Sequence, residues 1–145
     1  MIAYPAIFRR TKRGYWVEFP DLPGCLTEGK SLDHAKQMAK EALTGVLEVR
    51  LEYDEPIRRP DLKRKGRNIH WIEPEIAVAV AVTLRAIRKR KGQTMRAVAE
   101  RMNVSIGEYQ RLEDPRRSNP TIRKLQQVCQ ALEIDVKDLF RRKAA

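Results

Sequence analysis

Several things that most catalytic, secreted or membrane proteins need are scarce in this chain of 145 residues. It holds two cysteines, Cys25 and Cys129, far apart, which excludes both a disulfide framework and a Cys-rich metal site and fits a reducing, cytoplasmic setting. The longest apolar run, Ile76–Val82, is too short to cross a bilayer. Met1-Ile2-Ala3-Tyr4-Pro5 lacks the basic region and apolar core of an export signal. There is no Gly-rich phosphate loop, and no Ser/His/Asp or Cys/His set for nucleophilic catalysis. No catalytic residue, metal or cofactor is therefore expected.

What the chain does have is positive charge, +11 in total, unevenly placed. Residues 1–56 hold eight basic and nine acidic side chains, residues 57–73 six and two, and residues 74–145 sixteen and eight. Charge added only for solubility has no reason to segregate, so the asymmetry points to a polyanionic partner for the second half. With 42% hydrophobic residues the chain is apolar enough to fold, and its length suits two small domains.

Residues 2–9 and 15–19 are short, rich in aromatic and β-branched residues and separated by Arg10-Thr11-Lys12-Arg13-Gly14, the pattern of a hairpin. Tyr15, Val17 and Phe19 share one face of the second strand. After the turn Asp21-Leu22-Pro23-Gly24, residues 25–28 predict a third strand. Ser31 caps a helix to about Tyr53, whose apolar stripe runs through Leu32, Ala35, Met38/Ala39, Ala42/Leu43, Val46/Leu47 and Leu51. Residues 54–68, with two prolines and six basic residues, read as an exposed linker, and residues 68–73 return as a fourth strand. The domain boundary falls at Glu73-Pro74. Beyond it the periodicity is helical, with helices from about residue 75 to Lys91, Met95–Met102 capped by Thr94, Ile106–Glu113 capped by Ser105, one opened by Asn119-Pro120 and ending at Leu132, and a short fifth capped by Asp135. Arg85, Arg88, Lys89, Arg90 and Lys91 read as a solvated helix face, and Arg141, Arg142 and Lys143 as a solubilising end.

Residues 95–114 fit a helix-turn-helix position by position. Ala99 is small where two helices cross, Asn103 tolerates the left-handed turn, and Val98, Met102, Val104, Tyr109 and Leu112 supply a shared core. With Leu84–Gly92, Asn119-Pro120-Thr121 and Ala131-Leu132-Glu133-Ile134, the stretch Leu84–Phe140 resembles the XRE (Cro/C1-type) helix-turn-helix family. The resemblance implies a five-helix DNA-binding domain whose third helix enters the major groove. Ile106, Gly107, Gln110 and Arg111 match the base-reading positions, next to Ser105 at the helix start. Arg111 is the strongest candidate, since a guanidinium bonds guanine bidentately. Arg96, Arg116, Arg117, Ser118 and Asn119 are placed for phosphates. Met95 stands where that family commonly has a phosphate-binding Gln.

The first half carries Gly14-Tyr15-Trp16-Val17-Glu18-Phe19-Pro20-Asp21-Leu22-Pro23-Gly24-Cys25-Leu26-Thr27-Glu28-Gly29, then Ser31 and Ala39-Lys40-Glu41-Ala42-Leu43. This pattern resembles the HicB antitoxin family, with His34 where an acidic residue is usual. The resemblance implies an α+β domain over residues 1–73, a degenerate ribonuclease H-like fold of a small antiparallel sheet and one long helix, that binds and blocks an mRNA-cleaving HicA-type toxin. Glu18, Asp21 and Glu28 are candidate contacts to a basic toxin. On this resemblance residues 74–145 are expected to repress the operon of the pair by binding double-stranded operator DNA as a homodimer or higher even oligomer. A ligand-sensing repressor without a toxin partner is the alternative.

Overall fold

The computed structural model describes residues 1–141, so Arg142 and Lys143 lie outside it. The described residues divide into two compact units, one of residues 3–75 and one of residues 76–141 together with Met1–Ile2.

In the first unit β1 (Tyr4–Thr11), β2 (Gly14–Glu18), β3 (Leu26–Gly29) and β4 (Ile69–Ile72) form an antiparallel sheet of order β3-β2-β1-β4. Strand β1 continues past the expected end of its run. Thr11 pairs with Gly14, so the hairpin turns on Lys12 and Arg13 alone. One face of the sheet carries the buried side chains of Tyr4, Ala6, Phe8 and Val17, and α1 (Leu32–Glu52) lies along it. Ser31 caps α1 by accepting the His34 N–H at 3.1 Å, and Ala35, Ala39, Leu43 and Leu47, spaced every four residues, are fully buried. Small residues let helix and sheet meet. A Cβ on Gly29 would lie 2.4 Å from the Ala35 backbone, and one on Gly14 2.1 Å from the Gly29 carbonyl. The Asp21-Leu22-Pro23-Gly24 segment closes two successive turns, Leu22 N–H to Phe19 O at 3.0 Å and Cys25 N–H to Leu22 O at 3.0 Å, and buries Leu22.

The expected exposed linker is instead tied down along its length. The buried Tyr4 hydroxyl donates to Arg58 O at 2.7 Å, Arg50 donates to Pro56 O at 3.2 Å, and Asp21 Oδ2 accepts the Asp61 N–H at 2.9 Å. Arg64 stands 3.7 Å from Asp21 Oδ1. The segment ends in a turn, Ile69 N–H to Gly66 O at 3.2 Å, as Phe8 N–H reaches Asn68 O at 2.8 Å. Composition reported the polarity of these residues but not the polar groups waiting for them on the sheet.

The second unit contains α2 (Ile76–Arg90), α3 (Met95–Met102), α4 (Ile106–Leu112), α5 (Ile122–Ala131) and the single turn α6 (Lys137–Phe140). Its core joins Val80, Leu84 and Ile87 of α2 with Val98, Ala99, Tyr109, Leu112, Val128, Leu132 and Leu139. The Ala/Val alternation of Ile76–Val82, which taken alone passes for a strand, is helix, in keeping with the length of the segment. Helix α5 starts later than Asn119-Pro120: Thr121 is its cap, accepting the Lys124 N–H at 3.2 Å. A threonine acceptor three residues ahead of a free N–H fits the cap geometry, which the proline one position before it does not alter.

Arg85 and Arg88 depart from the solvated face expected for them, since both are 6% exposed. Arg88 makes a two-pronged pair with Glu113, Nε to Oε1 at 2.6 Å and NH2 to Oε2 at 2.9 Å, and its NH1 donates to Gln93 O at 3.1 Å. The Tyr109 hydroxyl donates to Glu113 Oε1 at 2.7 Å. Every polar end of this buried triad thus has a partner, as a low-dielectric interior requires. The bond to Glu113 holds the Arg88 guanidinium even more firmly protonated than usual, and burial beside Glu113 pushes the Tyr109 hydroxyl well above the ordinary phenol range.

Candidate nucleic-acid interface

The turn between α3 and α4 is built from its own sequence. Thr94 opens α3 by accepting the Ala97 N–H at 3.1 Å. Asn103 ends it in the left-handed conformation, φ 55° and ψ 46°, while Val104 N–H reaches back to Ala99 O at 3.0 Å. Two residues later Ser105 starts α4 by accepting the Glu108 N–H at 3.1 Å. Ala99 is 1% exposed, so a larger side chain there has no room between the helices.

Tyr109 and Leu112 face inward and fix the orientation of α4. Gly107, Gln110 and Arg111 consequently share its exposed face, three and four residues apart. Ile106 is only half-buried against the core, so its side chain serves packing as well as any outward contact. Ser105 is exposed, with its oxygen engaged as the cap. Gly107 adds no bulk: a Cβ there would meet nothing within 4 Å, which leaves a shallow place on the helix surface. Glu108, on the flank, is paired with Lys124 of α5.

Around α4 the phosphate candidates sit on two segments, α3 and the connection from α4 to α5. Arg96 is exposed in the first turn of α3. Asp114 organises the loop after α4 by accepting the Arg116 N–H at 3.1 Å, and its carboxylate lies 3.7 Å from Arg116 Nε and 3.6 Å from Arg117 Nε. These exposed pairs are weak and yield readily to a phosphate. Ser118 is half-buried and Asn119 exposed, both just ahead of α5. All ten candidates thus belong to α3, α4 and the two connections beside α4.

In the first unit the three acidic candidates fare differently. Glu18 pairs with Arg9 at 2.8 Å on the sheet face away from α1. Glu28 is exposed on the same face, opposite Trp16. Asp21 is half-buried and holds the Asp61 N–H and Arg64, which makes it a fastening for the crossover segment. His34 is exposed, its Nδ1 accepting the Lys30 N–H at 3.1 Å, and His70 packs edge-on to Phe8 at 4.7 Å. Among the described residues no three His, Cys, Asp or Glu side chains are grouped to hold a metal. Both cysteines are buried and free, and burial pushes each thiol up to about 11.

The Arg88–Glu113–Tyr109 triad was missed by the sequence reading, although a signal existed. Arg88 lies four residues after Leu84, and Glu113 four after Tyr109, so both fall on the inward stripe of their helices.

The HicB_like antitoxin of bacterial toxin-antitoxin system family matches residues 4–124, from the first strand into α5. The chain belongs to the HicB-like antitoxin family. It is 31% identical over 99 residues to Antitoxin HicB of Escherichia coli (strain K12), covering 68% of this chain and 70% of that one. It is 41% identical over 103 residues to a 14.9 kDa protein of the rep-hol intergenic region of Haemophilus phage HP1, 71% of each chain. Among solved structures, the clp gene regulator ClgR of Corynebacterium glutamicum aligns at 37% identity over 47% of this chain and 87% of that one, with a TM-score of 0.44. The restriction-modification controller protein C.AhdI of Aeromonas hydrophila aligns at 22% identity over 44% and 96%, with a TM-score of 0.42. Family membership makes this HicB-like chain a regulatory protein and not an enzyme. Its second unit contains a helix-turn-helix.

Proposed function

We propose that this chain neutralises a HicA-type, mRNA-cleaving toxin through residues 1–73, a degenerate ribonuclease H-like domain, and represses the operon of the pair through residues 74–145. The observation that carries the proposal is the span of the family match, which takes in both the sheet unit and the helix-turn-helix. In this reading Gln110 and Arg111 reach base edges from α4, Gly107 allows close approach, and Arg96, Ser105, Arg116, Arg117, Ser118 and Asn119 hold the backbone. Ile106 offers an apolar edge to a thymine methyl group. One α4 reads a half-site, so a homodimer or higher even oligomer is the repressing species. Toxin capture belongs to the sheet unit, with Glu18 and Glu28 as contacts, in the cytoplasm where both partners are made.

The test is co-purification with the product of the neighbouring small gene, followed by a ribonuclease assay of that product with and without this chain. A stable complex with suppressed cleavage is expected. Unhindered cleavage in the presence of excess chain refutes the toxin role. Separately, gel-shift on the DNA upstream of the coding sequence is expected to show binding that is weakened in Arg111→Ala, and equal binding of unrelated DNA refutes the operator role.

A further inference from the structure

The charge of the first unit is not spread evenly. Residues 3–75 hold fourteen basic and twelve acidic side chains, a balance near neutral that conceals a basic end. At the tip of the β1–β2 hairpin stand Arg10, Lys12 and Arg13, all exposed. Lys30 joins them: its Cα would lie 2.8 Å from a Cβ on Gly14, the residue that closes the hairpin. Arg67 sits in the turn before β4, one residue from Asn68, whose carbonyl holds the Phe8 N–H. Two residues of strand, about 7 Å, separate Phe8 from Arg10. Burial first, and then the charge of Lys36 on the second turn of α1, lower the pKa of His70, which pairs with Ala6 of β1.

Five of these cations, Arg10, Lys12, Arg13, Lys30 and Arg67, come from three segments far apart in sequence and are set by the register at one end of the unit; the half-buried Lys36 flanks them further along, near the level of Ala6, about 13 Å down β1 from Arg10. Among the described residues none of the six has an ion-pair partner. Two acidic side chains lie within three residues of them in sequence: Glu28, exposed opposite Trp16 on the sheet face away from α1, and Asp33 in the first turn of α1, where the helix's own positive end answers it. At the far end of α1 the chain is acidic, with Glu48, Glu52, Asp54 and Glu55.

We infer that this basic end of the sheet unit is a second phosphate-binding surface, which holds the backbone of double-stranded DNA without reading its bases. The inference rests on the proposed operator binding. The cations spread across strands β3, β2 and β1 and the turn before β4, about 14 Å at the usual strand spacing. That width is comparable to a major groove of roughly 12 Å, so the surface meets phosphates on both of its sides. Single-stranded RNA is held differently, on aromatic platforms interleaved with cations; here the two aromatics in register with the hairpin do not form such a platform, since Tyr15, opposite Arg10, is half-buried and Trp16, opposite Arg9, lies on the sheet face away from α1.

The test uses the full chain and two duplexes of equal length, the DNA upstream of its coding sequence and an unrelated sequence, titrated between 50 and 200 mM salt. Each phosphate contact contributes about 0.9 to the slope of log affinity against log salt. The variant R10Q/K12Q/R13Q/K30Q/K36Q/R67Q is expected to lose about 5 from that slope per protomer and to bind both duplexes at least tenfold more weakly at 0.1 M salt. Its circular dichroism should match the parent. R58Q/R59Q, which removes two exposed cations from the start of the crossover segment, is expected to leave the slope unchanged. An unchanged slope and affinity in the six-fold variant overturns the inference. So does an equal loss per charge in R58Q/R59Q, which reports net charge alone, or a loss confined to single-stranded RNA. The preference for upstream over unrelated DNA, and its dependence on Arg111, tests the operator reading independently, because the basic end contributes equally to both duplexes.

Discussion

The buried triad of the second unit makes the firmest energetic prediction. In Arg88→Met the Glu113 carboxylate, its side chain 4% exposed, keeps only the Tyr109 hydroxyl and loses both guanidinium bonds. Stranding one member of a buried ion pair costs about 3–5 kcal/mol. A unit the size of residues 76–141 has roughly 3–10 kcal/mol of stability in total, so this one change removes a large fraction of it. At roughly 4–8 °C per kcal/mol for so small a domain, Tm falls by about 12–40 °C. Glu113→Leu should cost as much, because it strands the guanidinium. The triple variant Arg88→Met/Tyr109→Phe/Glu113→Leu removes all the polar ends together and is expected to regain most of the loss, to within about 2 kcal/mol of the parent. Urea unfolding followed by circular dichroism reads the helices of both units, α1 included, so the transition of this unit is the part that fluorescence does not follow. Tryptophan fluorescence reads the other, since Trp16 and Trp71 both lie in the sheet unit. Single variants that each cost under about 1 kcal/mol, the range of exposed pairs, would refute the reasoning. A triple variant no more stable than the singles would refute it equally.

Gly29→Ala forces a Cβ to within 2.4 Å of the Ala35 backbone, and a loss of about 1–3 kcal/mol is expected in the fluorescence-detected urea midpoint. Asp21→Ala releases the Asp61 N–H and Arg64. About 1.5 kcal/mol lost there makes trypsin cleave within residues 58–67 roughly tenfold faster, as peptide mapping will show. Arg111→Ala should weaken binding to the upstream duplex by about 1–3 kcal/mol and relax preference at one base position. The thiols of Cys25 and Cys129 are pushed up to about 11 by burial. Unfolded thiols ionise near 9 and folded ones later, so this contribution is intact below pH 9 and declines as pH rises towards 11. Urea midpoints across that range should fall more in the parent than in Cys25→Ala/Cys129→Ala.

Local features were legible in the sequence where one residue type has one use. Ser31, Thr94 and Ser105 cap the helices expected of them, Asn103 takes the left-handed turn, and Val98, Ala99, Tyr109 and Leu112 face the core. The four strands also lie close to where alternation and turn residues placed them. What stayed hidden depended on partners distant in sequence. Arg88 and Arg58 belong to similar polar runs, yet Arg88 meets Glu113 25 positions away, and the Arg58 carbonyl meets Tyr4 54 positions away. Asp21 looked like a surface acid because its acceptor role requires the backbone of Asp61 to come back across the fold. Periodicity gives the direction a side chain takes from its own element; it carries no information about what arrives from elsewhere.

The strand order bears on how the protein is made. Strand β1 is an interior strand, bonded on one side to β2 a few residues later and on the other to β4, with Tyr4 opposite Ile72. A nascent chain can close the hairpin and coil α1 early, but the edge of β1 stays unpaired until about residue 72 has left the ribosome. At roughly 5–20 residues per second, that interval lasts several seconds. Any partner that recognises the finished sheet must wait through it, whereas the α3–α4 turn is completed within a few residues of its own synthesis.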